Sequence, residues 1–249
     1  MLTSIRGFRA VLVLSLGLAM PAVARADETD PPKALTVSGS AAVVSDYRFR
    51  GLSLSAGDPT IQGSVTVTHA SGFYAGVWGS GLEDSPVYGH TELDFTAGWS
   101  GEIGSGIVAD AGLTYYVYPN GHVGKANMVE PYASLRTTLG PATAKLGVAY
   151  APSQASLGHE DNLYVYTNLD LGVPTTPVTL SGHLGYTDGA LSPNRLTLKD
   201  TKGGWDWSLG ASASVMKNLS LGVTYVGVGG TRIKDFSDDT VVATLTLSF

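Results

Sequence analysis

Hydrophobic and polar residues alternate one by one along most of the chain. The last nine residues show the pattern most clearly, with apolar side chains at Val241, Ala243, Leu245, Leu247 and Phe249. A two-residue period places apolar side chains on one face of a β-strand and the intervening side chains on the other face. No segment carries a convincing apolar stripe with the 3.6-residue period of a helix, so the sequence predicts an all-β fold.

The alternation predicts about twelve strands, each close to the roughly 9–11 residues that a tilted strand needs to cross a bilayer. Ten or fourteen strands are the alternatives, because residues 72–90 and 188–204 are harder to divide. Long and short connections alternate, as in an outer-membrane barrel with long extracellular loops and short periplasmic turns. The predicted strands are 37–49, 60–70, 72–82, 89–100, 107–118, 128–139, 143–151, 161–172, 177–187, 205–215, 218–229 and 240–249.

Composition favours a membrane barrel over a secreted β-sandwich, whose strands also alternate. Charged residues make up 14% of the chain, against about 25% in a typical soluble domain. The second face of the strands carries Ser, Thr, Tyr and Gly with sparse charges, whereas a sandwich more often has charged outer faces. We therefore predict a transmembrane antiparallel β-barrel whose apolar face meets lipid and whose polar face lines the lumen.

The first residues of the chain have the features of a secretory signal peptide. Arg6 and Arg9 precede an apolar run at 10–19, which is shorter than the about 20 residues of a membrane-spanning helix. Ala24-Arg25-Ala26 fits a cleavage site, and Ala22-Val23-Ala24 is an alternative. We therefore expect export through the inner membrane to the bacterial outer membrane. The predicted organisation is a cleaved signal peptide at 1–26, a short periplasmic segment at 27–36 and one barrel domain at 37–249.

Charge and residue types exclude several function classes. The chain has 15 Lys and Arg against 21 Asp and Glu, and removal of residues 1–26 takes away three Arg and no acid, so nucleic acid is not an expected partner. It has no cysteine, and its five histidines do not occur in a metal-binding spacing. No serine-hydrolase elbow or phosphate-binding glycine loop is present, so we predict neither an enzyme nor a cofactor.

Strand parity places ionisable side chains of both signs on the polar face. The seven acids exceed the four bases by three, which predicts a water-filled and weakly cation-selective pore. Arg48 and Arg50 would instead favour anionic solutes near the mouth. Salt bridges that plug the interior are the alternative, because twelve strands lie between about eight, which leave room only for side chains, and about sixteen, which leave a channel. The predicted pore-lining residues are Asp46, Arg48, Arg50, Glu92, Asp94, Asp110, Glu130, Arg136, Lys145, Asp170, His183 and Asp206.

Three segments carry a family resemblance: YRFRGLS at 47–53, DPTIQG at 58–63 and GFYAGVWGS at 72–80. With shorter motifs that follow in order, the last of them Glu130-Pro131-Tyr132, they resemble the TorF family of porins over essentially the whole mature chain. Trp99 is a minor departure, since Tyr is more often expected there. The resemblance implies an outer-membrane β-barrel with a porin role, and it supplies no substrate or catalytic residue.

The sequence is compatible with three functions from different classes. The first is passive diffusion of small polar solutes or ions, the second is a non-conducting structural or surface-binding barrel, and the third, less favoured, is a lipid-modifying enzyme. The expected partners are outer-membrane lipid and lipopolysaccharide, the barrel-assembly machinery and small polar solutes. Phe249 ends the last strand and resembles the signal that the barrel-assembly machinery reads.

Overall fold

The chain folds into one closed antiparallel β-barrel of twelve strands, seen in a computed structural model that describes residues 34–197 and 201–249. This architecture confirms the predicted fold class and strand number. The signal peptide predicted at 1–26 and most of the predicted periplasmic segment 27–36 lie outside the described residues.

The described residues form fourteen strands, and all except the short β2 and β3 belong to the barrel. Every neighbouring pair is antiparallel, and β1 closes the barrel by pairing with both β4 and β14. The strands are β1 (Leu35–Val44), β2 (Arg48–Phe49), β3 (Leu52–Ser53), β4 (Thr60–His69), β5 (Phe73–Gly81), β6 (Thr91–Gly104), β7 (Ile107–Val117), β8 (Met128–Leu139), β9 (Ala142–Gln154), β10 (Glu160–Gly172), β11 (Val178–Gly189), β12 (Gly203–Met216), β13 (Leu219–Val228) and β14 (Thr240–Ser248).

The connections distinguish the two ends of the barrel. Both termini of the barrel domain and the turns 70–72, 105–106, 140–141, 173–177 and 217–218 lie at one end, which we call the turn end. The longer connections lie at the opposite loop end, where 190–202 contains the short helix α1 (Pro193–Leu196). Within the described ranges, no helix is long and apolar enough to cross a membrane.

Side chains alternate between the two surfaces of the barrel as the sequence pattern predicts. Leu139 and Ile61 on the outer surface are 74% and 71% exposed, whereas Glu92 and Thr246 on the inner surface are 1% and 2% exposed. An apolar outer surface and a polar inner one are the arrangement that a lipid-embedded barrel requires.

The first barrel strand is shorter than predicted. The alternation predicts a strand over 37–49, but β1 ends at Val44, and residues 46–53 form a separate hairpin from β2 and β3. The turn of this hairpin is Arg50-Gly51, whose φ angles of 48° and 80° are both positive, as a two-residue hairpin turn requires. Asp46, Arg48 and Arg50 therefore belong to a folded loop and not to the barrel wall, which corrects their predicted position.

Pro131 lies inside β8, where a barrel strand ordinarily needs a backbone N–H. It is in register with Leu113 of β7, and no irregularity occurs at this point of the β7–β8 pairing. The register of β8 with β9 begins one residue later, at Tyr132. The proline is thus accommodated at the end of the β8–β9 ladder.

Candidate functional site

The hairpin of residues 46–53, which we call the lumen hairpin, crosses the interior of the barrel near the loop end. At its tip, Nη2 of Arg50 donates to both carboxylate oxygens of Glu130 on β8, at 2.7 and 2.8 Å. The Arg50 guanidinium carbon also lies 4.1 Å from the ring centre of Tyr164 on β10. Because β8 and β10 are halfway round the barrel from β1, the hairpin spans the full width of the lumen.

The Arg50–Glu130 pair is buried on both sides, with side-chain exposures of 5% and 4%. Burial on its own lowers the pKa of Arg50, but the Glu130 carboxylate outweighs it and the pKa of Arg50 is raised. Tyr116 donates a third hydrogen bond to the Glu130 carboxylate, over 3.0 Å. The tip of the hairpin is therefore held to the opposite wall by a charge-assisted bond between two buried side chains.

A second set of polar contacts holds the base of the hairpin. Asp46 pairs with Nε of Arg48 and accepts a hydrogen bond from Ser53 at 2.6 Å. Nη1 of Arg48 donates to the backbone oxygen of Asp238 at 3.0 Å, in the connection between β13 and β14. The backbone N–H of Ser53 donates to Phe236 in that same connection, at 2.7 Å. These bonds satisfy several of the backbone and side-chain polar groups of a segment that enters the lumen.

Two acidic side chains on β6 lie beside the hairpin without a basic partner among the described residues. Glu92 accepts a hydrogen bond from Tyr118 at 3.1 Å, while its Oε2 and the Oδ1 of Asp94 have no hydrogen-bond partner there. Tyr47 of the hairpin packs on Trp78, with ring centres 5.3 Å apart. Burial and the charges of Glu92 and Asp94 raise the pKa of Tyr47 well above its ordinary value.

His183 lies at the centre of a network on β10, β11 and β12. Its Nε2 is 2.9 Å from Oδ1 of Asp206 and 2.9 Å from the hydroxyl of Tyr164, and its Nδ1 faces the side-chain oxygen of Asn168. Tyr164 also donates to Asp206, at 3.1 Å. The network joins the wall to the hairpin, because Gly51 lies so close that a Cβ there would be 3.2 Å from Cβ of Asp206.

Towards the turn end, ionisable side chains are concentrated on one side of the lumen wall. Asp110, Arg136, Lys145 and Asp170 lie on β7 to β10, and Tyr74 donates to Asp110 at 2.7 Å. The wall of β12 to β14 carries mainly Ser, Thr and Gly at inward positions. A cavity of about 70 Å³ runs along that wall beside the hairpin, and its lining includes Ser212, Ser220, Thr224, Thr244 and Thr246.

The structure brings the twelve ionisable residues of the predicted lumen into the barrel interior, on the wall or on the hairpin. Arg48 and Arg50 lie in ion pairs, so they do not form the free positive ladder that parity suggests. Sequence reasoning missed the hairpin itself and with it the role of Tyr47 and Asp238. The sequence feature that could have indicated this hairpin is the Arg50-Gly51 pair, which lies in the middle of an alternating segment. Within residues 34–197 and 201–249, no group of three His, Asp or Glu side chains could hold a metal ion.

Two solved structures of porins resemble this barrel. The NanC porin superposes with a TM-score of 0.59 at 9% identity, covering 86% of this chain and 99% of the porin. A KdgM porin in complex with disordered oligogalacturonate superposes with a TM-score of 0.56 at 10% identity, covering 86% of this chain and 98% of that one. At these identities the likeness shows a shared porin-like fold. No curated protein sequence matches the chain significantly.

A family model described as "Bacterial protein of unknown function (Gcw_chp)" matches residues 28–249. The match spans the whole barrel and thus far more than half of the chain. The more specific resemblance to the TorF family stays a prediction. By this match, the chain belongs to the Gcw_chp family.

Proposed function

We propose that the protein is a bacterial outer-membrane porin that lets small polar solutes or ions diffuse passively, with weak selectivity for cations. The observation that carries this proposal is the cavity of about 70 Å³ along β12 to β14, which we take to be part of the diffusion route beside the lumen hairpin. Ser and Thr hydroxyls offer both donors and acceptors to a hydrated solute. The hairpin narrows the route, so only small solutes would pass.

The weak cation selectivity is argued from the charges that remain after ion pairing. Asp46 with Arg48 and Glu130 with Arg50 cancel within the hairpin contacts. Five acids and two bases then remain in the interior, a formal excess of three acidic groups. A narrow lumen with low-dielectric walls focuses such a field, which attracts cations. The remaining groups are Glu92, Asp94, Asp110, Asp170 and Asp206 against Arg136 and Lys145.

Placement in the outer membrane is part of the proposal. It is supported by the apolar outer surface of the closed barrel and by the predicted signal peptide. In this placement the loop end faces the outside and the turn end faces the periplasm, as is usual for bacterial barrels. The lumen hairpin would then narrow the pore at its outer mouth.

The test is conductance of the purified barrel in planar bilayers, with the reversal potential measured across a KCl gradient. A porin gives discrete steps and a reversal potential of the cation-selective sign at low salt. An anion-selective sign would overturn the selectivity. Absence of any conductance, also in a variant with a loosened hairpin, would favour the non-conducting barrel.

A lipid-modifying enzyme is the third candidate, and an assay with phospholipid and lipopolysaccharide tests it. A barrel enzyme of this type needs its Ser and His on the outer wall at the membrane interface. His183 instead faces the interior, where it contacts Asp206 and Tyr164. We therefore expect no hydrolysis or acyl transfer.

A further inference from the structure

Two cations and an amide stand side by side on the lumen wall near the turn end. Arg136 of β8 is directly opposite Lys145 of β9, and Lys145 is directly opposite Asn168 of β10. Directly opposite residues in an antiparallel pair have Cβ atoms about 5 Å apart. The guanidinium, the ammonium and the Asn168 amide can therefore reach one common point in the lumen.

Within the described parts of the chain, no carboxylate lies within 4.0 Å of the Arg136 or the Lys145 cation. Two acids are diagonal neighbours in the sheet, Asp110 of Arg136 and Asp170 of Lys145, and Asp110 also accepts a hydrogen bond from Tyr74. Like charges directly opposite each other in a sheet repel and lower stability. The pair is thus a positive site that forms no direct ion pair in the described structure, although acids flank it on the neighbouring strands.

The surroundings of the pair are those of a binding site rather than of a solvated surface. Nζ of Lys145 lies 5.7 Å from the ring centre of Tyr166, which stacks on Tyr164 at 5.3 Å. The ring of Tyr166 lies against Gly147, where a Cβ would be only 2.3 Å from the ring. The glycine lets the ring lie flat on the wall, which fixes the position of the ring beside the ammonium.

The Asn168 amide, which is the third hydrogen-bond donor of this group, is also held in a fixed orientation. The side-chain oxygen of Asn168 faces Nδ1 of His183, so the Asn168 NH₂ group points away from His183. Arg136 and Lys145 are both half-buried, and each lies three residues from the end of its strand at the 140–141 turn. A solute can reach them from the turn end without passing the lumen hairpin.

We propose that Arg136, Lys145 and Asn168 form an anion-binding site for a carboxylate or phosphate group of a small solute. The planar guanidinium suits two-point contact with either group, and the ammonium supplies a second charge. The site requires only the folded barrel, so it stands or falls separately from the proposed conductance. It would bind one class of solute inside a pore whose overall field favours cations.

The experiment is isothermal titration of the full barrel in a detergent with an uncharged headgroup, at low salt. Inorganic phosphate and acetate are the two probes, and they distinguish a phosphate site from a carboxylate site. The test variant is Arg136→Gln with Lys145→Gln, which removes both charges and keeps a polar, unbranched side chain at each position. The control variant, Lys125→Gln with Lys217→Gln, removes two exposed charges outside the lumen.

We expect the wild type to bind at least one probe, and the test variant to bind it at least about tenfold more weakly, since the variant lacks both charge-assisted hydrogen bonds to the anion. The control variant should bind like the wild type. Heat-modifiable gel mobility establishes that each variant is folded. No binding by the wild type would overturn the site, and so would equal weakening in both variants.

Discussion

Arg50 and Glu130 form an ion pair across the full width of the barrel, with the guanidinium bonded to both carboxylate oxygens at 2.7 and 2.8 Å. One partner is at the tip of the lumen hairpin and the other is on the opposite wall. The pair closes a loop of 80 residues in the sequence. The ion pair holds the hairpin across the lumen, and the position of the hairpin sets the free width of the lumen at the loop end.

The first prediction concerns this pair. Glu130→Gln leaves the Arg50 charge buried without its partner, which costs about 3–5 kcal/mol in comparable buried pairs. We expect a lower free energy of unfolding in urea and, in bilayers, larger and noisier current steps because the hairpin tip is released.

The matched control for that substitution is Glu160→Gln. Glu160 pairs with Arg195 at the loop end, where both side chains are more than a third exposed. An exposed pair contributes little to stability, so both readouts should stay close to wild type. Equal effects of the two substitutions would contradict the proposed role of the hairpin tip.

The second prediction concerns the turn of the hairpin. A Cβ at Gly51 would lie 2.2 Å from Cγ1 of Val228, and the φ of Gly51 is +80°. Gly51→Ala should therefore displace the hairpin as well as strain its turn. Gly124→Ala is the control, since its φ is +75° but no atom lies within 4 Å of the added Cβ. The free energy of unfolding of the control variant should fall by only about 1–2 kcal/mol, because alanine is strained in this backbone conformation. A similar urea midpoint for both variants would argue against close packing at Gly51.

The third prediction concerns ion selectivity. Glu92→Gln combined with Asp94→Asn removes two acids that lack a basic partner in the described structure. The reversal potential in a KCl gradient should move towards zero, because the interior loses most of its negative excess. The shift should shrink in concentrated salt, since the Debye length falls from about 8 Å at physiological ionic strength to about 3 Å at 1 M.

The control for selectivity is Glu83→Gln with Asp84→Asn, which removes two exposed acids in a connection at the loop end. These charges are screened by solvent, so their loss should leave the reversal potential nearly unchanged. An equal shift from both double variants would assign the selectivity to the outer surface rather than to the lumen.

The fourth prediction concerns assembly. Phe249 exchanges two backbone hydrogen bonds with Gly39, at 2.9 and 3.0 Å, and its ring occupies the space where a Gly39 Cβ would be. Deletion of Phe249 should lower the amount of protein in the outer membrane and abolish heat-modifiable mobility. Phe73→Ala, an equally exposed aromatic residue at the same end, should assemble normally. Normal levels of the deletion variant would contradict the predicted assembly signal.

The barrel wall was predictable from the sequence because lipid and lumen impose a two-residue period on every strand. The pattern at 241–249 predicts β14 to within a residue, and the other wall strands follow the same rule. Periodicity also placed Glu92, Asp94 and Glu130 on the inner face, since each alternates with an outward apolar or proline side chain.

The lumen hairpin could not be predicted in the same way. Tyr47 and Phe49 alternate with Arg48 and Arg50, so the segment has the period of a wall strand although it lies inside the barrel. Its direction depends on the Arg50–Glu130 bond and on the contacts with residues 236–238, which are distant in sequence. Local patterns contain no information on such long-range partners.

The join between β1 and β14 has a consequence for the order of folding. All other neighbouring wall strands in the barrel follow one another along the chain. This join instead pairs the first wall strand with the last one and brings Ser40 opposite Ser248. Its register covers only the five residues from Ser40 to Val44, fewer than the ten that pair β1 with β4. Hairpins of neighbouring strands form early, while contacts of high sequence separation form slowly. Closure of this short seam is therefore expected to be the last and slowest step, and a chain released before its final strand would present two open sheet edges to other chains.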